Sequence, residues 1–323
     1  MRLLSTLLAA TLLTAASPAP AQQSVDIEAP GPHGALAGTL LTAEGAGAPI
    51  ILIIPGSGPT DRDGNSPLGV AAGPYRLLAE GLAQRGVTTI RIDKRGMFGS
   101  RGAALDPNAV TVGDYVEDIR SWILSARQRT GASCIWLLGH SEGALIALAA
   151  GQERAGICGL VLVSGAGRPL GEVIRGQLRA NPANAPLLDQ AMGAIDRLEA
   201  GNRVDAAALH PALGPLFGPQ VQGFLISLFA QDPAALVAGV RQPVLIVQGE
   251  RDIQVPVDDA RRLAAANPRA RLVLVPNANH VLKSVTTDDR AANLATYGDP
   301  ALPLAPGIVD AIAEFVAEGP QRR

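Results

Sequence analysis

The chain is short of the residues that several chemistries require. It has two cysteines and four histidines in 323 residues. A zinc site of four cysteines is impossible, and a histidine-dependent mechanism has four candidates at most. Charge is sparse as well, with 27 basic and 29 acidic side chains, a formal net charge of -2. No basic surplus exists to neutralise a phosphate backbone, which argues against dedicated nucleic-acid binding. Apolar residues make up 47% of the chain, so wholesale disorder is excluded. After the first segment no run of 18 apolar residues occurs, and no transmembrane helix is expected.

What is present begins with residues 1–21, MRLLSTLLAATLLTAASPAPA. Arg2 and the amino terminus form a short positive region, and Leu3 to Ala16 is apolar apart from Ser and Thr. Ala19-Pro20-Ala21 has the small-x-small form of a signal peptidase site, so cleavage is expected after Ala21. The apolar run is too short for a spanning helix of about 20 residues. The sequence has neither a twin-arginine pair nor a lipobox cysteine there. The protein is therefore expected in the periplasm or outside the cell, without a membrane anchor. Export also bears on Cys134 and Cys158, which can pair in an oxidising compartment. Each sits at the start of an apolar run, CIWLLGHS and ICGLVLVSG, and two buried free thiols remain the other reading.

Along the chain, GALAGTLLTAEG has the alternation and turn residues of a β-hairpin. APIILIIPGSG is then a continuous apolar run, as expected of a strand covered on both faces. Helical and strand patterns alternate from there: YRLLAEGLAQRG ending at Gly86, VTTIRID, YVEDIRSWILSARQR with Asp114 available as N-cap, CIWLLGHS, GALIALAAGQ and GLVLVSGAG. PVLIVQGERD, DDARRLAAAN, RLVLVPNAN and a helix from about Ile308 to Glu318 follow. This order predicts a mostly parallel sheet with helices on both faces. Between about 168 and 241 no strong strand run occurs. Helical segments broken by Pro and Gly read there as a lid over the carboxyl ends of the strands. At about 150 residues per domain the length allows two domains. The alternation on both sides of the insertion favours one, from residue 22 to 323.

Gly139-His140-Ser141-Glu142-Gly143 fits G-x-S-x-G, between an apolar strand and an apolar helix. A nucleophile on so sharp a turn has strained backbone angles, and flanking side chains would collide with neighbouring elements. The turn lifts the Ser141 hydroxyl above the sheet and aims a helix N-terminus at a developing oxyanion. A serine needs a base near neutral pH. His33 precedes the first core strand, His140 adjoins the serine with its side chain expected to point elsewhere, and His210 lies in the insertion. His280 follows RLVLVP at the carboxyl end of a late strand, where a base can reach Ser141. Asp252, just after VLIVQGER, is the expected orienting acid, with Glu250 the lesser candidate. The order is Ser, Asp, His, at separations of 111 and 28 positions. For the oxyanion, one donor is expected from the amide of Glu142 and the second from Pro55-Gly56-Ser57-Gly58-Pro59. The prolines have no N–H, which leaves Ser57 and Gly58, with Ser57 favoured. No G-K-[ST] follows those glycines and no G-x-G-x-x-G occurs, so nucleotide binding is not indicated.

Glycine loop, nucleophile elbow, late acid and later histidine together resemble the α/β-hydrolase superfamily over about residues 30–318. IPGSGPTDRDGNSPLG and GHSEG resemble bacterial esterases near the serine aminopeptidase-like and dienelactone-hydrolase-like groups. IDKRGMFGS is similar to their D-x-R-G-x-G-x-S loop, with Phe98 where the second glycine would stand. The resemblance implies an α/β-hydrolase fold and a serine hydrolase that needs no cofactor or metal. Its implied substrates are small-molecule carboxylic esters, cleaved through an acyl-enzyme. A peptidase of the same fold, an acyltransferase or thioesterase, and a non-enzymatic binder on the scaffold are the alternatives. Arg62 with Asp61 and Asp63, and Asp93 with Arg95, are read as braces of the rim. Apolar insertion residues, among them Leu213, Leu216, Phe217, Phe224, Leu225, Leu228 and Phe229, would line or pack the lid.

Overall fold

A computed structural model describes residues 24–45 and 47–320. The expected export signal and its cleavage point lie outside the described residues.

Eight strands form one sheet: β1 (Ser24–Ala29), β2 (Leu36–Leu41), β3 (Ile50–Ile54), β4 (Thr88–Ile92), β5 (Ile135–His140), β6 (Ile157–Val163), β7 (Val244–Gly249) and β8 (Arg271–Val275). The order is β1-β2-β4-β3-β5-β6-β7-β8. β2 runs antiparallel to both β1 and β4, and every other pairing is parallel. The continuous apolar runs are explained by this arrangement. Side chains alternate between faces along a strand, and both faces are covered. Ile50, Leu52 and Ile54 enter one core and Ile51 and Ile53 the other. The hairpin differs from its expected place. Gly34 to Gly45 supplies only β2, and the partner strand is the earlier SVDIEA, whose mostly exposed edge carries little apolar signal.

The helices are α1 (Pro74–Ala83), α2 (Val112–Thr130), α3 (Glu142–Ala150), α4 (Leu170–Ala180), α5 (Leu188–Glu199), α6 (Gly214–Phe217), α7 (Pro219–Phe229), α8 (Pro233–Gly239), α9 (Val257–Ala266), α10 (Arg290–Ala295) and α11 (Ile308–Ala317). α1 and α11 cover one face of the sheet, and α2, α3 and α9 the other. Helix α2 starts differently from expectation. Thr111 is its N-cap, and Asp114 closes a capping box by accepting from the Thr111 N–H at 2.9 Å. Between β6 and β7 the chain runs through α4 to α8. Part of this stretch has an apolar core of its own, in which Leu213, Phe217 and Phe229 are buried. Among the described residues no single helix is long and apolar enough to cross a membrane.

Cys134 and Cys158 form a disulfide at the amino ends of β5 and β6, with their Cα atoms 5.1 Å apart. The strand register shifts at this point. Ile135 lies opposite Ile157 and Trp136 opposite Gly159, so Cys158 is the extra residue. Closing the loop between them restricts the unfolded chain. Reduction is expected to destabilise the protein by roughly 3 kcal/mol. Urea unfolding with and without a phosphine reductant measures this, and coincident curves would contradict it.

Candidate active site

Ser141 stands between β5 and α3 with φ 55° and ψ −119°, a conformation strained for any L-residue with a side chain. Its N–H donates to the Val163 carbonyl at 2.9 Å, which ties the turn to the end of β6. The flanking glycines are required by contact. A Cβ on Gly139 would overlap the Gly143 carbonyl, and one on Gly143 would overlap the Ile54 carbonyl. The turn is therefore pressed against the carboxyl end of β3, where Ile54 pairs with Gly139. That pairing places the Pro55–Gly58 loop beside the serine.

Asp252 follows β7, and its carboxylate is buried. One oxygen, Oδ1, accepts the N–H groups of Gln254 at 2.8 Å and Val255 at 2.9 Å. The other, Oδ2, meets Nδ1 of His280 at 2.8 Å and Nε2 of Gln248 at 3.3 Å. Burial would raise this carboxyl group's pKa. The charge and hydrogen bond of His280, with the two backbone donors, outweigh burial and hold it below the usual value. Asp252 therefore stays ionised and accepts Nδ1–H, so Nε2 of His280 is the ring nitrogen turned away from the carboxylate. No hydrogen bond joins Nε2 to Ser141 among the described residues. Such contacts often tighten only when substrate binds. The loop carrying His280 is held from below. Asn279 donates to Asn293 Oδ1 at 3.1 Å and Thr296 Oγ1 at 2.7 Å, and Asn293 donates to the Arg251 carbonyl at 2.8 Å. Glu250, His33 and His210 are exposed.

Three groups that sequence reasoning did not place in the site surround it. Gly56 N–H donates to the Tyr75 hydroxyl at 3.0 Å. That hydroxyl lies 2.9 Å from Nδ1 of His140, and Nε2 of His140 lies 2.8 Å from the His280 carbonyl. The His280 carbonyl can only accept, so Nε2 of His140 donates to it, and Tyr75 has one hydrogen to give. Nδ1 of the neutral ring is then the acceptor, and the Tyr75 hydroxyl donates to it. The chain links the glycine loop to the candidate base. Lys94, also buried, donates to the Gly56 carbonyl at 2.6 Å and stands 3.5 Å from Oε1 of Glu142. Burial pulls its ammonium below lysine's usual pKa, against the opposing charge of Glu142. No hydrogen bond from the N–H of Ser57 or Glu142 occurs among the described residues, and both residues line the same cavity as Ser141.

Burial and then the neighbouring His280 push the His140 pKa down to about 3. An unfolded chain protonates the same ring near pH 6.5. The stability this contributes is present above about pH 6.5 and is lost as pH falls toward the folded value, at up to about 1.4 kcal/mol per pH unit. His140→Gln is expected to remove that slope between pH 6 and 4. Urea titrations of both proteins across this range measure it, and parallel pH dependences would rule it out.

The profile of the alpha/beta hydrolase family matches residues 51–296, which contain the elbow, Asp252 and His280. The chain belongs to the alpha/beta hydrolase family. It is 26% identical over 257 residues to the Esterase EstD of Thermotoga maritima, covering 77% of this chain and 58% of that protein. The chain thus spans less than two thirds of that relative's length. Among solved structures, the α/β hydrolase resembles Est1E of Butyrivibrio proteoclasticus, in complex with ferulic acid, with a TM-score of 0.57 at 20% identity, over 90% of this chain and 98% of that one. It also resembles a dienelactone hydrolase of Anabaena variabilis, with a TM-score of 0.53 at 17% identity, over 93% and 99% of the two chains. At these identities the likeness is one of fold.

In this member of the alpha/beta hydrolase family a cavity of about 460 Å³ is lined by Ser141 and Ser57. Val173, Leu216, Phe224, Leu225 and Leu228 from the β6–β7 segment line it, together with Leu145 of α3. Arg168 reaches its wall with the guanidinium engaged by buried Asp259 at 2.7 and 2.8 Å. Arg62 turns away from it and grips Asp93 at 2.7 Å, and Arg95 grips Asp118 at 2.6 Å. Phe98 has φ 44°, the left-handed backbone that a glycine adopts freely, so the loop keeps its turn despite the substitution.

Proposed function

We propose that this hydrolase cleaves carboxylic esters by acyl transfer through Ser141, His280 and Asp252. The observation that carries the reading is the buried Asp252 carboxylate 2.8 Å from Nδ1 of His280, both following strands at the carboxyl edge of the sheet, as does Ser141. In the first step Nε2 of His280 takes the Ser141 proton as Oγ attacks the carbonyl carbon. The N–H groups of Ser57 and Glu142 receive the oxyanion. As the intermediate collapses, His280 gives the proton to the departing alkoxide, which leaves as alcohol. Water then repeats the sequence on the acyl-enzyme and releases the acid. The apolar wall of the cavity favours an apolar acyl or alcohol group over a charged one, since its arginine is already paired. A function outside the cytoplasm is part of the proposal, supported by the leader-like residues 1–21 and the Cys134–Cys158 disulfide.

The test is labelling of the purified protein by a fluorophosphonate, followed by p-nitrophenyl esters of graded chain length and aminoacyl amides. Labelling at Ser141 with faster turnover of esters than amides is expected. An unlabelled serine would overturn the serine-hydrolase reading, and faster turnover of amides would make the protein a peptidase.

A further inference from the structure

We propose that Lys94 is a positioning residue for the oxyanion hole, cross-bracing its two donors from behind. The inference rests on the acyl-transfer reading above and extends it to a residue outside the triad.

The geometry starts from one peptide unit. The Gly56 carbonyl and the Ser57 N–H belong to the same planar amide, and in a trans peptide they point in opposite directions. Lys94 Nζ holds that carbonyl at 2.6 Å. Whatever fixes the carbonyl also fixes the direction of the N–H. The residue is pinned a second time by its own N–H, which donates to the Tyr75 hydroxyl at 3.0 Å. A charged donor on the carbonyl draws electron density from the amide nitrogen. It makes the Ser57 N–H a stronger donor, as in any chain of hydrogen bonds. The same ammonium also reaches the residue that carries the second donor. Lys94 stands 3.5 Å from the carboxylate of Glu142, the residue whose N–H faces the oxyanion from the elbow.

The pairing is poor as a stability device. Both side chains are buried, at 3% and 8% exposure, and Glu142 Oε1 has no hydrogen bond among the described residues. Buried pairs of this kind seldom add stability over apolar residues of similar size. The ring of Tyr115, with its centroid 5.8 Å from Nζ, is the ammonium's third neighbour, a cation–π contact. The arrangement is what a hydrolase needs if oxyanion donors must be in place before charge develops.

The test uses Lys94→Met, which keeps the length of the stem, and Lys94→Met combined with Glu142→Gln, which strands no carboxylate. Both are assayed on a p-nitrophenyl ester and for inhibition by a trifluoromethyl ketone, whose serine adduct carries an oxyanion. Loss of a direct oxyanion donor costs about 100- to 1000-fold, so loss of its brace is expected to lower kcat by about 10- to 100-fold. KM should stay within about threefold, and ketone affinity should weaken by the same factor as kcat. The double variant should show the same losses with wild-type unfolding behaviour. With folded variants, three results would overturn the inference: kcat and ketone affinity near wild type, a kcat loss with unchanged ketone affinity, or recovery in the double variant. The last would mean that the stranded Glu142 charge was the whole effect. If neither variant folds, Lys94 is a structural lysine and the inference falls too. A wild-type protein inert to fluorophosphonate overturns the acyl-transfer reading as well, whereas a reactive one with unaffected variants overturns only the role of Lys94.

Discussion

Replacing Ser141 by alanine is expected to lower the turnover of a p-nitrophenyl ester by about a million-fold, to the level left by binding and oxyanion stabilisation alone. The size of the effect follows from how the site is built. Ser141 is held at φ 55° by contacts that survive the change: its N–H bond to Val163 and the close fit of Gly139 and Gly143. Alanine has the same backbone and leaves the cavity open. Substrate therefore still binds, and a fluorescent product analogue should keep its affinity. Only the nucleophile is lost, and water held near His280 is a poor replacement for an oriented hydroxyl. The strain stored at the turn is unchanged, so thermal stability should stay within about 1 kcal/mol of wild type. Stopped assays on protein freed of wild-type contamination measure the rate. Residual turnover above about one part in a thousand would point to a different nucleophile.

Much of this architecture can be read from the amino acids, for identifiable reasons. The core strands β3, β5, β6 and β7 are buried along their whole length, so they appear as unbroken apolar runs. The elbow is legible because two glycines and a serine are needed within five positions. Asp252 and His280 are legible because each follows a strand, the buried β7 and the half-buried edge strand β8, and strand ends in a parallel sheet share a rim. β1 is hard to read because three of its six positions in succession face solvent at the sheet edge. The short helices α8 and α10 carry too few turns for a periodic signal. Tyr75, Lys94 and the part played by His140 lie beyond sequence reasoning for another reason. Their partners are 19 to 140 positions away, and only the sheet order brings them together. A lysine inside the D-x-R-G-like loop is a faint hint at best. It stands between Asp93 and Arg95, two residues whose partners, Arg62 and Asp118, are purely structural.

Asp252→Asn should lower kcat by about 10,000-fold while leaving KM and the fold nearly unchanged. Asparagine can sit in the site in two ways, and the hydrogen bonds decide between them. With its oxygen toward Gln254 and Val255, both backbone donors remain satisfied. Its NH2 group then faces Nδ1 of His280 and, at 3.3 Å, Nε2 of Gln248. With the amide reversed, two backbone N–H groups that cannot rearrange face a donor, at a cost of about 1–3 kcal/mol each. The first orientation wins, because an imidazole can relieve its clash by moving a proton. His280 then accepts at Nδ1 and carries hydrogen on Nε2, the nitrogen that should take the proton from Ser141. The base is present, correctly placed and in the wrong tautomer. Nitrogen-15 chemical shifts of the His280 ring report the exchange directly, and the kinetic loss should accompany it. Asp252→Ala gives the contrasting case: it leaves both backbone donors without a partner and should destabilise the fold by about 1–3 kcal/mol for each. A kcat for Asp252→Asn within tenfold of wild type would mean that His280 takes its orientation from its loop, through Asn279 and His140, rather than from the carboxylate.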